Sequence, residues 1–388
     1  MFGVLLASYV INAMDRQLFP LLAADVRREY GFSLPRIGLL STIFTLGMAI
    51  AGVPTGYLMA RWSRKAVLQT GIAIFSAGTV LTVFSQGFLD MLVYRAATGI
   101  GEAMELTALL AIAANYFTGN RAVAVGSVNF CFATGAIIGP ILGGIVLSAY
   151  GSWRLPMILF GLLGALAMAL IALIVNPFFT ETRSETREGR RGPNDAGGAS
   201  TLLNRNTVLL TAMSLIGGLV IYGYLGMYPT FLREGLHYAP RAAGAVVGAF
   251  GLGALGSLAG GWLGDRFSPR SILGFSFLCA AVLGYLLFHA SAFAVQSVLS
   301  FSWGFIVSGT IYVNLAGYHV KAVRKSLSDR ASGIFVTSLY GSAALGGYLM
   351  GWIAGHGGWM AAGEIQLTAL SLAGGTLALA LRPAEMAL

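Results

Sequence analysis

The chain has 388 residues, 56% of them hydrophobic and 10% charged, with a mean hydropathy of +0.77 and a formal net charge of +9. A soluble domain carries about 25% charged residues to dress its surface for water, so this composition excludes an ordinary soluble protein and gives a polytopic membrane protein. The positive excess lies in short loops without a basic stripe interleaved with aromatics, which excludes nucleic acid as a partner and fits charges that orient a chain in a lipid bilayer.

Membrane-spanning helices need about 20 mostly apolar residues. About twelve such stretches follow one another: 2–23, 37–60, 66–86, 89–112, 122–147, 154–176, 208–232, 242–263, 271–289, 292–316, 331–354 and 360–381. The first contains Asp15-Arg16, two charges where each costs about 2.5–3.5 kcal/mol at a helix centre, so partners are required. The fourth span offers them. Arg95 and Glu102 are seven residues apart, two turns and about 10.5 Å along an axis, and therefore share a face. Packed beside the first span, that face presents Arg95 to Asp15 and Glu102 to Arg16, with Glu105 one turn further as a second acid. Intramembrane ionisable groups default to function; the alternative is an ion-pair network that only seals the bundle, and Arg95 is the member that best suits a structural role.

Between the sixth and seventh spans lies Pro177–Asn206, whose charges, Gly and Pro cannot form a core. It divides the chain into an N-terminal six-helix bundle (1–176), a cytoplasmic linker (177–206) and a C-terminal six-helix bundle (207–388). With the N-terminus inside, sixteen Lys and Arg fall in cytoplasmic loops against six outside, a positive-inside bias that puts both termini in the cytoplasm. Fourteen residues precede Asp15, which leaves room for a start codon further upstream. Cys131 and Cys279 lie within apolar spans, and the four histidines have no metal-ligand spacing, so neither a disulfide framework nor a metal site is expected.

An internal repeat is visible. Ser33-Leu-Pro35-Arg36 matches Tyr238-Ala-Pro240-Arg241, and Gly56 to Ser63 matches Gly261-Trp-Leu-Gly-Asp265-Arg266-Phe-Ser268, both at an offset of 205. Duplicated halves with a site between them are common in secondary transporters. Glycines four apart, Gly52/Gly56, Gly135/Gly139/Gly143, Gly244/Gly248 and Gly347/Gly351, recur in every third span and make smooth faces for close helix approach.

Duplicated six-helix halves, a long middle loop and Gly-x-x-x-Asp-Arg after spans two and eight resemble the major facilitator superfamily. Gly261 to Arg270 fits its signature, whereas the first-half copy carries Ala60 in place of the acid. That resemblance implies a cytoplasmic lock, here carried by Arg61, Arg64, Asp265 and Arg266. The glycines from Gly135 to Gly144 are similar to a motif of drug antiporters. Asn12 to Arg16, together with Tyr94-Arg95-Ala-Ala-Thr-Gly99-Ile-Gly101-Glu102-Ala103, resembles the anion:cation symporters and their spinster-like relatives. In that branch the Asp-Arg pair and the span-four Glu carry substrate binding and proton coupling, roles the resemblance passes to Asp15, Arg16 and Glu102. Ser300-Phe-Ser-Trp303 is similar to a substrate-contacting stretch there.

The expectation is a secondary transporter, not an enzyme: no nucleophile with a base, metal cluster or phosphate loop is present. Its substrate is a small organic anion such as a sugar acid, bound by Arg16, whose planar fork suits a carboxylate. Protons are the coupling ion and no cofactor is needed. Asp15, Glu102 and Glu105 are the coupling candidates. Val220 and Ile221 stand at the repeat-equivalents of Asp15 and Arg16, so the second half contributes neutral groups: Tyr222, Tyr224, Ser300, Trp303 and Ser338, with Asn129 from span five. A monomer in a bacterial inner membrane is expected. An exporter of amphipathic drugs or lysolipids, or a transporter-like sensor, stays open.

Overall fold

The computed structural model describes residues 1–117, 120–181 and 198–387. It is nearly all helical. The helices are α1 (Phe2–Tyr30), α2 (Leu34–Arg61), α3 (Arg64–Thr82), α4 (Phe88–Tyr116), α5 (Arg121–Tyr150) and α6 (Arg154–Ile174). After the linker come α7 (Arg205–Gly235), α8 (Pro240–Arg266), α9 (Pro269–His289) and α10 (Phe293–Lys321). A last run, Lys325–Leu379, is broken at Gly358, whose φ of 84° only glycine adopts readily. It yields α11 (residues 328–357) and α12 (residues 359–379). Among the described residues ten helical runs are long and apolar enough to cross a membrane. The α1 helix lies outside that set because Asp15-Arg16 and the amides Asn12 and Gln17 lower its hydropathy. With α1 added and the last run divided, each of the twelve expected spans has a helix. Large apolar side chains such as Val53 (73%), Leu173 (84%) and Leu258 (80%) stand exposed, as lipid-facing positions should.

Helix ends follow their sequence signals. Ser63 caps α3 by accepting from the Ala66 N–H, and Ser268 caps α9 by accepting from the Ser271 N–H. Gly31 and Gly151 end α1 and α5 in the left-handed conformation, at φ 67° and 66°. The repeat extends to these contacts. Lys65 Nζ donates to the Val175 carbonyl at 2.6 Å, closing the end of α6, and Arg270, 205 positions on, donates to the Leu381 carbonyl beyond α12 at 2.6 Å.

Contacts divide the chain into two compact units. The first comprises Met1–Phe32, Ile43–Arg187 and Leu232–Gly248; the second comprises Ser33–Thr42, Glu188–Phe231 and Ala249–Leu388. These are not the two sequence halves. Residues 33–42 pack in the second unit and their repeat-equivalents, in 232–248, pack in the first. In the first unit α1 packs chiefly on α5, α3 on α4, and the latter part of α2 on α4. In the second, α11 packs chiefly on α7 and on the first part of α2, and α9 on α12.

Part of the expected linker is ordered. Pro177–Glu181 is helical, and the Glu181 carboxylate accepts from the Arg64 and Lys65 N–H groups at 3.1 and 3.2 Å, so it caps α3. At the far end Ala199 makes a parallel backbone bridge to Val323. Linker residues 182–197 lie outside the described residues.

Candidate functional site

The charged site is built where α1, α3 and α4 meet in the first unit. Glycines bring the backbones there. A Cβ at Gly99 would meet the Phe44 carbonyl oxygen at 1.8 Å and one at Gly71 the Gly101 oxygen at 2.7 Å, so α4 lies directly against α2 and α3. On α5, a Cβ at Gly135 would meet Val10 O at 2.5 Å and one at Gly139 would meet Met14 O at 2.7 Å. The glycine row that resembles an antiporter motif therefore acts locally, seating α5 on the stretch of α1 that carries Asp15 and Arg16.

Both pairings expected from spacing are formed. Arg16 Nε lies 3.2 Å from Glu102 Oε2, and Arg95 Nη1 lies 3.8 Å from Asp15 Oδ2. All four side chains are buried, with Arg95 and Glu102 at 0% exposure. Thr79 donates to Asp15 Oδ2 at 2.9 Å. The guanidinium of Arg95 lies over Phe19 at 4.8 Å and Phe44 at 5.7 Å, and that of Arg16 lies 5.8 Å from the rings of both Tyr9 and Phe132. Aromatic faces supply part of what water would have given these cations.

Glu105 is held differently. It accepts from Ser8 Oγ at 2.7 Å and Asn12 Nδ2 at 2.8 Å, two neutral donors from α1. Asn12 Nδ2 also reaches the Glu102 carbonyl at 3.4 Å. Two acids of one helix thus have opposite settings: Glu102 faces a guanidinium and Glu105 faces a hydroxyl and an amide. Spacing alone did not reveal Thr79, Ser8 or the four aromatic partners, because small polar and apolar residues in an apolar span carry no distinctive signal.

The second-half candidates separate into groups. Tyr224, Ser300 and Trp303 are fully buried together: the Tyr224 hydroxyl is 2.7 Å from Ser300 Oγ, and its ring lies 4.5 Å from Tyr228 and 5.4 Å from Trp303. Ser300 occupies the repeat position of Arg95, and Tyr224 that of Phe19, so this aromatic cluster is the neutral counterpart of the charged site. Tyr222 instead packs edge-on against Tyr340 at 6.0 Å. Ser338 is half-buried and lines a cavity of about 520 Å³ with Leu202, Arg330, Gly333, Ile334 and Thr337. On α5, Asn129 is exposed. The expected lock residues have separate neighbours: Asp265 pairs with Lys321 at 2.8 Å, Arg266 lies over Trp262 at 4.7 Å, Arg61 is exposed, and Arg64 donates to the Thr180 carbonyl at 3.2 Å. Asn314 and Tyr318 donate to the Gly260 and Gly264 carbonyls, fixing the last turns of α8 to α10.

Among the described residues no three His, Cys, Asp or Glu side chains gather as a metal site. The Sphingosine-1-phosphate transporter SPNS2 of Danio rerio is 30% identical over 177 residues, which are 45% of this chain and 35% of that protein; the chain thus matches only about a third of that relative's length. The Hexuronate transporter of Bacillus subtilis is 25% identical over 328 residues, 78% of this chain and 76% of that protein. A crystal structure of a bacterial homologue of the human lysosomal transporter spinster, inward-facing and occupied, shares the fold at a TM-score of 0.73 and 18% identity, over 98% of this chain and 94% of that one. Residues 5–347 match the sequence model of the Major Facilitator Superfamily, and with duplicated helical repeats and a buried charged site between α1 and α4, the chain belongs to that superfamily of transporters and is not an enzyme.

Proposed function

We propose that this transporter carries a small organic anion, a sugar acid or another carboxylate, together with a proton. The observation that supports it is the buried Arg16–Glu102 pair beside Asp15–Arg95. A buried carboxylate that loses its counter-charge is costly and neutralises instead by taking a proton. When a substrate carboxylate claims the Arg16 fork, Glu102 is left without its partner, binds a proton, and the charge of the site is restored to its resting value. Release of the substrate returns Arg16 to Glu102 and expels the proton. In this reading Asp15 and Arg95 hold the geometry and balance, Glu105 is a reserve acid, and the protein works as a monomer in a bacterial cytoplasmic membrane with both termini inside.

The likeness to a hexuronate transporter supports this substrate class. The likeness to a sphingosine-1-phosphate transporter favours a second reading, export of an amphipathic compound. Proteoliposomes separate the two. Under the first, carboxylates drive proton uptake, and Glu102→Gln loses proton-driven accumulation but keeps substrate exchange; normal accumulation by Glu102→Gln overturns the coupling role. Arg16→Lys loses carboxylate binding under the first reading. Unchanged affinity, with transport of amphipathic dyes irrespective of a carboxylate, establishes the second.

A further inference from the structure

Asp15 faces Arg95 and Glu102 faces Arg16, but a third acid, Glu105, lies one turn from Glu102 on α4 and is held by neutral groups. Among the described residues the buried Asp, Glu, Lys and Arg side chains are these five, three acids against two guanidiniums. With all three acids ionised the cluster is one positive charge short, and a buried carboxylate without compensation is strongly disfavoured.

The surroundings of Glu105 are rich in oxygen. Ser8 Oγ lies 2.7 Å from Glu105 Oε1 and 2.8 Å from the Leu5 carbonyl. A hydroxyl has one hydrogen and two lone pairs. It satisfies both neighbours when the hydrogen goes to Leu5 and a cation seated at the carboxylate takes a lone pair. Asn12 Nδ2 lies 2.8 Å from Glu105 Oε2 and 3.4 Å from the Glu102 carbonyl, while Asn12 Oδ1 is buried with no hydrogen-bond partner among the described residues. A half-turn of that amide exchanges the two atoms and brings Oδ1 to the carboxylate. Against a bare carboxylate this turn is unfavourable, and with a cation between the oxygens it is favourable. Ser8 is 1% exposed and Asn12, Glu102 and Glu105 are 0% exposed, so bulk water does not compete for these groups.

Carboxylate, hydroxyl, amide and backbone oxygens are hard donors that suit hard cations. One carboxylate among neutral oxygens matches a single charge. Magnesium keeps several waters, and calcium draws on about six to eight oxygens. Calcium takes them at about 2.3–2.6 Å, and sodium, nearly equal in radius, fits the same distances with half the charge. An ion at that distance from two oxygens holds them about 3 Å apart, close to the present spacings of 2.7 and 2.8 Å.

We propose that Glu105, Ser8 and Asn12, with the Glu102 carbonyl, form a binding site for one sodium ion, which supplies the missing positive charge beside Arg16 and Glu102. The site is separate from the proton role given to Glu102 and holds whichever substrate is carried. Equilibrium binding of radiolabelled sodium to the purified full chain, without substrate, tests it. The parent binds sodium saturably, and unlabelled sodium displaces it while choline does not. Glu105→Gln and Ser8→Ala each weaken binding about ten- to hundred-fold. Glu29→Gln, which removes an acid paired with Arg154 at the other end of α1, keeps the parent affinity. Sodium also raises the melting temperature of the parent above its value in equal choline, and this gain is lost in Glu105→Gln. Should Glu105→Gln fail to fold, Ser8→Ala carries both measurements, since it removes one oxygen and no charge. A parent without saturable sodium binding shows that Glu105 is neutralised by a proton and overturns the site. Parent affinity in both Glu105→Gln and Ser8→Ala, or displacement by choline as readily as by sodium, overturns it as well. Because no substrate is present, these outcomes leave the coupling test at Glu102 untouched, and failure of that test leaves the sodium site standing.

Discussion

Arg95 is enclosed on all sides, and none of its guanidinium nitrogens has a hydrogen-bond partner among the described residues. Its charge is balanced by Asp15 at 3.8 Å and by the faces of Phe19 and Phe44. Removing one member of a buried pair leaves an uncompensated charge and costs about 3–5 kcal/mol. Arg95→Met should therefore lose about that much stability, and Asp15→Asn/Arg95→Met should recover most of it, as a coupled pair does. Thermal unfolding followed by a thiol-reactive dye reads this directly, since Cys131 and Cys279 are both free thiols and Cys131 is buried in the folded chain. Additive losses would show that the two do not act as a pair. Glu105 makes a contrasting case. Its partners are the neutral Ser8 and Asn12, so Glu105→Gln should lower substrate-driven proton flux far less than Glu102→Gln. Equal losses would assign the transported proton to both acids.

At the scale of elements, glycines decide where helices touch. Gly139 lies against Met14, the residue before Asp15, and a Cβ there would meet Met14 Cα at 2.8 Å as well as its carbonyl. Backbone cannot yield as a flexible side-chain end does. Gly139→Val should push α5 from α1 and cost about 1–3 kcal/mol by overpacking, with transport falling further because Arg16 loses its seat near Phe132. Gly52, where a Cβ meets nothing within 4 Å, is the control, and Gly52→Ala should be neutral or slightly stabilising in the same unfolding assay. Equal losses at the two positions would show that close approach at Gly139 is not what seats α5.

For the whole molecule, the distribution of basic residues and the direction of coupling make the testable statements. Sixteen basic loop residues on one side against six on the other predict, under the positive-inside rule, that both termini face the cytoplasm. A fluorescent protein fused after Leu388 should fold and fluoresce, and an alkaline phosphatase fused there should be inactive; the reverse pattern would invert the topology. If a proton enters with each anion, accumulation in vesicles should rise as the outside is made more acidic than the inside. A protonophore should abolish it. Uptake indifferent to the gradient would leave facilitated diffusion or exchange.

The composition alone determined the membrane setting, because no soluble surface can be built from so few charges. Spacing determined the site's core as well: Arg95 and Glu102 lie on one helical face whatever the fold, and charges buried in lipid must find each other, so their pairing with Asp15 and Arg16 was legible before any coordinates. The repeat was legible for the same reason, as turns and caps leave local signatures at Ser63 and Ser268. Tertiary structure alone decided the rest. Thr79 reaches Asp15 from another helix, Ser8 and Asn12 claim Glu105, and Tyr224, Ser300 and Trp303 close on one another in a buried aromatic cluster. It also decided that residues 33–42 and 232–248 pack away from the bodies of their own halves. Such choices depend on backbone approach at Gly38, Gly144, Gly244 and Gly347, and a glycine has no side chain through which a sequence could announce which helix it will meet.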